Sequence, residues 1–282
     1  MDVIETVEAL RRRVAAFRAR GERVALVPTM GNLHAGHYSL IELAKRHADR
    51  VIATAFVNPT QFGPNEDFGR YPRTPEDDER GLRQAGCDAL FRPTVDEMYP
   101  FGADACVKVQ VPGLTAELEG AHRPGHFDGV ATVVLRLFNM AQPDVAVFGR
   151  KDYQQLRVIE YFVRELSLPI EIVAAPIARD HDGLALSSRN QYLSAAERAV
   201  APELQRTLQA MRGQWAAGIA LDRIESEAHQ RLAAAGFVVD YVEFRRRFDL
   251  KRPGPDERDD LVILATARLG RTRLLDNLEL EA

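Results

Sequence analysis

His34 and His37, within Pro28-Thr29-Met30-Gly31-Asn32-Leu33-His34-Ala35-Gly36-His37, are the side chains whose type and spacing best suit chemistry. Two imidazoles three residues apart can point N–H donors at the oxygens of one anion. Gly31 and Gly36 let backbone come close to a bound group. The run follows Val24-Ala25-Leu26-Val27, a short apolar stretch bounded by charges that reads as a buried parallel strand. It precedes Tyr38–Lys45, where apolar residues at 40, 41, 43 and 44 fit one helical face. The histidines therefore open a helix at the carboxyl end of a strand, where open α/β sheets bind ligands. A helix N-terminus also offers unpaired N–H groups to an anion, and the placement predicts a nucleotide triphosphate site. Histidines at this spacing also occur as plain surface residues or a metal pair. A zinc site needs a third ligand, and no Cys or His cluster lies nearby.

Other polar clusters fall at similar places. The apolar run 51–57 ends in Asn58-Pro59-Thr60-Gln61-Phe62-Gly63-Pro64, where the two-sided amide of Gln61 can read a hydroxyl and a carboxylate. The run 144–148 ends in Gly149-Arg150-Lys151-Asp152-Tyr153-Gln154-Gln155. There Lys151 can meet a phosphate as a point charge, Asp152 a ribose hydroxyl, and Gln155 lies one turn on from Lys151, on the same side. Asp182-Gly183-Leu184-Ala185-Leu186-Ser187-Ser188-Arg189-Asn190 combines a glycine turn, two hydroxyls and a guanidinium, a compact anion-binding set. Each has a plainer reading: Asn-Pro is ordinary turn chemistry, Lys-Asp suits a solvated helix start, and Ser or Asn can cap. The acids of Pro75-Glu76-Asp77-Asp78-Glu79 offset a helix dipole without any metal. A Mg²⁺ site at Asp77 and Asp78 is the alternative.

The elements that must hold these groups alternate strand and helix. A helix is expected over 3–20, strands over 24–28, 51–57, 89–91, 144–148 and 170–174, an edge strand over 107–111, and a helix over 130–141. The breaker-rich segment 120–129 reads as a mobile surface loop able to cover a site. Beyond Ser194, a helix cap, the chain turns Ala-, Arg- and Glu-rich to about 235. Strands at 238–244 and 261–267 follow, joined by the charged Pro253-Gly254-Pro255 loop. A boundary between about 176 and 190 divides a first domain, 1–178, from a second, 179–282.

Composition narrows the class. Hydrophobic residues make up 46% and charged residues 28% of 282 residues, which excludes a disordered chain. A net charge of −4 provides no global field for nucleic acid, so none is expected as a partner. No apolar run approaches membrane-spanning length, and the N-terminus, with Asp2, Glu5 and Glu8, lacks a signal-peptide core. Two cysteines with no metal-like spacing fit a reducing cytoplasm.

Four of these segments, in this order, resemble the pantoate–β-alanine ligases (pantothenate synthetases) of the H-x-G-H nucleotidyltransferase-like superfamily. They are Pro28–His37, Phe56–Phe62, Phe148–Gln155 and Asp182–Asn190, and Tyr71-Pro72-Arg73-Thr74-Pro75 also fits. The resemblance implies an α/β fold: a Rossmann-like, doubly wound parallel-sheet domain that binds ATP and pantoate, and a smaller C-terminal α/β lid domain that closes on the substrates. It implies condensation of pantoate with β-alanine through a pantoyl adenylate, with ATP as co-substrate, Mg²⁺ as cofactor, and a cytoplasmic homodimer. Carried over as ATP-binding are Met30, Gly31, Asn32, Leu33, His34, Ala35, Gly36 and His37, then Gly149, Arg150, Lys151 and Asp152, then Ala178, Leu186, Ser187, Ser188 and Arg189. His34, His37, Lys151, Ser188 and Arg189 carry the catalytic roles, with His37 as proton donor. Gln61 and Gln155 are the pantoate ligands, Gln61 also serving β-alanine. Asn32, Ala35 and Tyr38 replace the family's more usual Ala, Glu and Leu, beside the histidines rather than in their place. Another H-x-G-H nucleotidyltransferase would share the histidine turn but has no need of Gln61 and Gln155 together. A non-catalytic nucleotide-binding protein has no need of the five catalytic residues.

Overall fold

The computed structural model describes every residue except 65, 67, 255, 281 and 282. Pro255 of the charged loop and two positions of the polar stretch after Pro64 thus lie outside the described residues. The chain divides into two compact units, 1–150 with 154–176, and 151–153 with 177–282.

The first unit is built on a parallel sheet. Its elements are β1 (Asp2–Ile4), α1 (Val7–Arg18), β2 (Val24–Val27), α2 (Ala35–His47), β3 (Arg50–Thr54), α3 (Pro75–Gln84), β4 (Ala89–Phe91), α4 (Val95–Met98), α5 (Glu119–His122), α6 (His126–Ala141), β5 (Val145–Gly149), α7 (Tyr153–Glu165) and β6 (Glu171–Ala175). The six strands stand in the order β1-β4-β3-β2-β5-β6. All pairs are parallel, which is the Rossmann-like arrangement the alternating pattern predicts. Every residue of β2 is buried, as continuous Val/Ala/Leu runs covered on both faces require. From β2 the chain winds outward through β3 to β4, then returns to lay β5 on the other side of β2, with Ala25 beside Val145. The order reverses there. The carboxyl ends of β2 and β5 flank the crevice in which such sheets bind ligands.

Three expectations are corrected in this unit. Residues 2–4 form a strand along β4, and the helix begins only at Val7, capped by Thr6. Residues 107–111 form no strand: the Val109 N–H donates to Thr132 Oγ1 of α6 (2.8 Å), so no ladder forms there. Residues 120–129 are no open loop, because α5 occupies part of them. Gly125, in the left-handed region at φ 81°, then starts α6 four residues before the expected position.

The second unit stacks helices on an antiparallel sheet. It comprises α8 (Ala195–Val200), α9 (Glu203–Ala216), α10 (Leu221–Ala234), β7 (Val238–Arg246), β8 (Leu261–Leu269) and β9 (Thr272–Glu279), the strands in that order. Ser194 caps α8 through a capping box with Glu197, as its sequence position predicts. Leu204, Leu208 and Met211 of α9 and Ile224 and Leu232 of α10 pack on Phe244, Ile263 and Leu274. Strand β9 is an addition to the sequence expectation, which ends at 267.

Candidate active site

The turn between β2 and α2 fixes both histidines through their own backbone. His34 is the N-cap of α2 at φ −137° and ψ 177°, and the Gly36 N–H donates to its Nδ1 (3.1 Å). The His34 N–H donates to His37 Nδ1 (3.3 Å), which completes a capping box made of imidazoles. A neutral imidazole that accepts at Nδ1 carries its proton on Nε2. Both rings, 4.1 Å apart at their centroids, are therefore set as Nε2–H donors at the sheet's switch point.

The glycines of this turn also take part in its internal geometry. The Gly36 N–H is given to His34 Nδ1, and Gly31 faces Asp78 of α3. The buried Asp78 carboxylate accepts the Asn32 N–H at Oδ2 (2.9 Å) and the Leu33 N–H at Oδ1 (2.8 Å). The replacement at 38 is accommodated by α3 as well: the Tyr38 ring lies where a side chain on Gly81 would stand, 2.1 Å from its hydroxyl.

Gln61 sits in a short 3-10 turn after β3 and is itself buried. The Asn58 amide donates to its Oε1 (3.1 Å), and its Nε2 donates to Met30 Sδ (3.2 Å). Asn58 is held in turn by the Tyr99 hydroxyl donating to its Oδ1 (2.7 Å). Behind the turn, His126 Nδ1 donates to the Gln61 carbonyl (2.8 Å), while its Nε2 accepts from Arg123 (3.0 Å). Burial, and then the Arg123 guanidinium, lower the His126 pKa to about 4 and keep the ring neutral. On α7, Gln154 is buried and spent on structure, accepting the Glu119 N–H and donating to the Leu114 and Glu117 carbonyls. Its neighbour Gln155 is half-buried.

In the second unit, Lys151 is 3.4 Å from Asp152, and Asn277 of β9 donates to its carbonyl (2.9 Å). The Tyr153 hydroxyl reaches Glu279 (3.0 Å). The Leu186 N–H donates to the Ala178 carbonyl (2.9 Å), so these two predicted ATP contacts stand side by side. The hairpin they form is pinned by Arg179, whose guanidinium grips buried Asp276 at 2.6 and 2.8 Å. Ser187 caps the 3-10 turn Ser188–Tyr192 by accepting the Arg189 N–H (3.2 Å), which orients Ser188 and Arg189.

The family model for pantoate-beta-alanine ligase matches residues 2–279. The chain belongs to the pantoate-beta-alanine ligase family. A pantothenate synthetase of Stenotrophomonas maltophilia is 60% identical over 96% of each chain. The crystal structure of the Thermus thermophilus pantothenate synthetase superposes with a TM-score of 0.93 at 47% identity, over 99% of both chains. A Francisella tularensis pantoate-beta-alanine ligase complexed with beta-gamma ATP and beta-alanine superposes with a TM-score of 0.80 at 30% identity, over 99% of this chain and 97% of that one. This ligase accordingly condenses pantoate with β-alanine to pantothenate at the expense of ATP.

The two aspartates considered for Mg²⁺ do not fit that task in this ligase. Asp78 spends both oxygens on backbone N–H groups, and Asp77 is exposed and paired with Arg80. No cluster of three metal-ligating side chains occurs among the described residues. Sequence reasoning missed Asn58, Arg123, Asp276 and Asn277 as supports of the site. Asn58 and Arg123 stood in segments already singled out, whereas Asp276 and Asn277 carried no signal apart from the unrecognised strand. No helix among the described residues is long and apolar enough to cross a membrane.

Proposed function

We propose that this ligase joins its substrates in two half-reactions, with ATP phosphates received at the turn between β2 and α2. A pantoate carboxylate oxygen attacks the α-phosphorus of ATP, the bridge to the β-phosphate breaks, and pyrophosphate leaves with the electron pair. The neutral amine of β-alanine then attacks the acyl carbon of the adenylate, the acyl C–O bond breaks with its electron pair going to AMP, and the nitrogen gives up a proton to solvent as the amide forms. The backbone from Met30 to His37 binds ATP, and the Nε2–H groups of His34 and His37 meet its phosphates, His37 donating to the departing oxygen. Gly149, Arg150, Lys151, Asp152, Ala178, Leu186, Ser187, Ser188 and Arg189 complete the nucleotide contacts. Lys151, Ser188 and Arg189 stabilise the charge that grows on pyrophosphate. Removing one such donor typically costs about 3 kcal/mol of barrier. Gln61 and Gln155 orient pantoate, and Gln61 also receives β-alanine. Mg²⁺ comes with the ATP phosphates rather than in a protein-held site, and the enzyme works as a cytoplasmic homodimer. Residues 179–282 act as the closing domain against residues 1–178.

The observation that carries this reading is the pair of imidazoles, each fixed as an Nε2–H donor beside the switch point of the sheet. The test is ³¹P NMR of ATP, Mg²⁺ and pantoate with the protein, with and without β-alanine. AMP and pyrophosphate accumulating over many turnovers only with β-alanine present are the expected result. Pyrophosphate release that ignores pantoate would refute the assignment of Gln61 and Gln155.

A further inference from the structure

The geometry points to Asp78 as a positioning residue that holds His34 and His37 in place by clasping the backbone just ahead of them. The inference rests on the phosphate role proposed for the two histidines. Gly31 and Asn32 are successive left-handed residues, at φ 81° and 51°. The turn they make brings the successive Asn32 and Leu33 N–H groups to one carboxylate, and successive N–H groups presented by a turn form an anion-binding nest. In other proteins such a nest takes a ligand's phosphate; here the anion is the protein's own. Asp78 Oδ2 accepts from Asn32 (2.9 Å) and Oδ1 from Leu33 (2.8 Å), and the Thr74 hydroxyl also donates to Oδ1 (3.0 Å). The fit is tight, since a Cβ on Gly31 would stand 3.0 Å from Oδ2.

Asp78 lies in the first turn of α3, so its carboxylate joins that helix to the turn carrying the histidines. His34 follows Leu33 directly and sets its ring by capping α2, and His37 sets its ring on the His34 N–H. A shift at Asn32 and Leu33 thus moves the N-cap, and both imidazoles with it. Asp78 touches no reacting atom in this scheme. It acts through the two rings.

The test uses the full chain. In Asp78→Asn the side chain keeps its volume, but its NH₂ faces one of the two N–H donors, so one contact becomes a repulsion. The folded variant is expected to lose roughly 10- to 100-fold in kcat, the scale of a displaced catalytic group. KM for pantoate and β-alanine is expected to stay at the parent value. At fixed pH the imidazole ¹⁵N signals of His34 and His37 are expected to move together. Thr74→Val keeps the carboxylate and both backbone contacts while removing the hydroxyl, and is expected to shift the same signals less. It decides the matter if Asp78→Asn does not fold.

Parent-like imidazole signals in folded Asp78→Asn, or in Thr74→Val if the first variant fails, overturn the inference. So does a rate that returns when Mg²⁺ is raised, because that result makes Asp78 a metal ligand. The imidazole signals need no turnover. Absence of ligase activity in the parent would therefore sink the functional reading and leave this test standing.

Discussion

Gly129 offers a sharp way to disturb, from behind, the Gln61 amide proposed to orient pantoate. It lies in the first turn of α6, which packs directly on the 3-10 turn bearing Gln61. A Cβ there would stand 2.3 Å from the Thr60 carbonyl oxygen and 2.6 Å from Gln61 Cα, whereas ordinary contact begins at 3.4 Å. In Gly129→Ala the helix and the turn must therefore part by about 1 Å, a displacement that at a reacting centre can cost 10²-fold in rate. Two contacts between the helix and the turn oppose the movement, the Asn58 amide donating to the Gly129 carbonyl (3.2 Å) and the His126 ring donating to the Gln61 carbonyl. The turn is pressed on backbone rather than on a flexible side chain, so strain of about 1–3 kcal/mol is expected as lost stability. The assay is initial rate against pantoate at saturating ATP, with urea unfolding and ATP titration alongside. The expected result is a large fall in kcat/KM for pantoate, with ATP affinity near the parent value. A folded variant with kcat/KM for pantoate within about threefold of the parent would refute the packing argument.

Four further outcomes are expected. Lys151→Ala is expected to lose about 10²–10³ in the rate of pyrophosphate release from ATP and pantoate, with circular dichroism unchanged; unaltered turnover removes Lys151 from the chemistry. Gln61→Ala is expected to raise KM for pantoate far more than for ATP, and a defect confined to ATP contradicts its role. Asp276→Ala leaves the Arg179 guanidinium without its buried partner, and about 3–5 kcal/mol of stability is expected to go, read by urea unfolding. His126 is held neutral in the folded protein, with its pKa lowered from 6.5 to about 4. The unfolded chain takes up the proton first as pH falls, so the stability this ring confers is complete above 6.5. It is lost between 6.5 and 4 at roughly 1.4 kcal/mol per pH unit. Unfolding titrations across that range are expected to show the slope in the parent and a shallower one in His126→Gln.

The parallel sheet was legible because β2, β3 and β5 are continuous apolar runs closed by polar residues, a pattern buried strands rarely share with anything else. β1 escaped because Asp2-Val3-Ile4 alternates at the sheet's edge and merges into the amphipathic pattern of α1. The expected strand at 107–111 failed for the opposite reason. Its alternation is real, but a strand exists only where a neighbour takes its N–H groups, and Val109 finds a threonine on a helix. At the site, the residues proposed to contact substrates sit in short motifs and could be picked out singly. Their supports are distant in sequence: Asp78 for Asn32, His126 for Gln61, Asn277 for Lys151. Such pairings depend on the closed fold, and no local spacing encodes them. The acidic helix start shows the limit well, since Asp77 and Asp78 look alike in the sequence. One is a surface partner of Arg80, the other a buried anchor.

The order of strands in the parallel sheet also sets an order of events during synthesis. β1 is made before the rest of the sheet, yet its ladder partner is β4, so Asp2 must wait for Ala89. β2 can pair early with β3, but its other edge stays open until Val145 and Ala146 arrive. Pairings between distant segments bear a loop-closure cost before they return any stabilisation. The crevice between β2 and β5 is therefore completed late, after the half of the sheet from β2 to β4 can already stand. A nascent chain halted before 145 would carry the histidine turn on an unfinished edge.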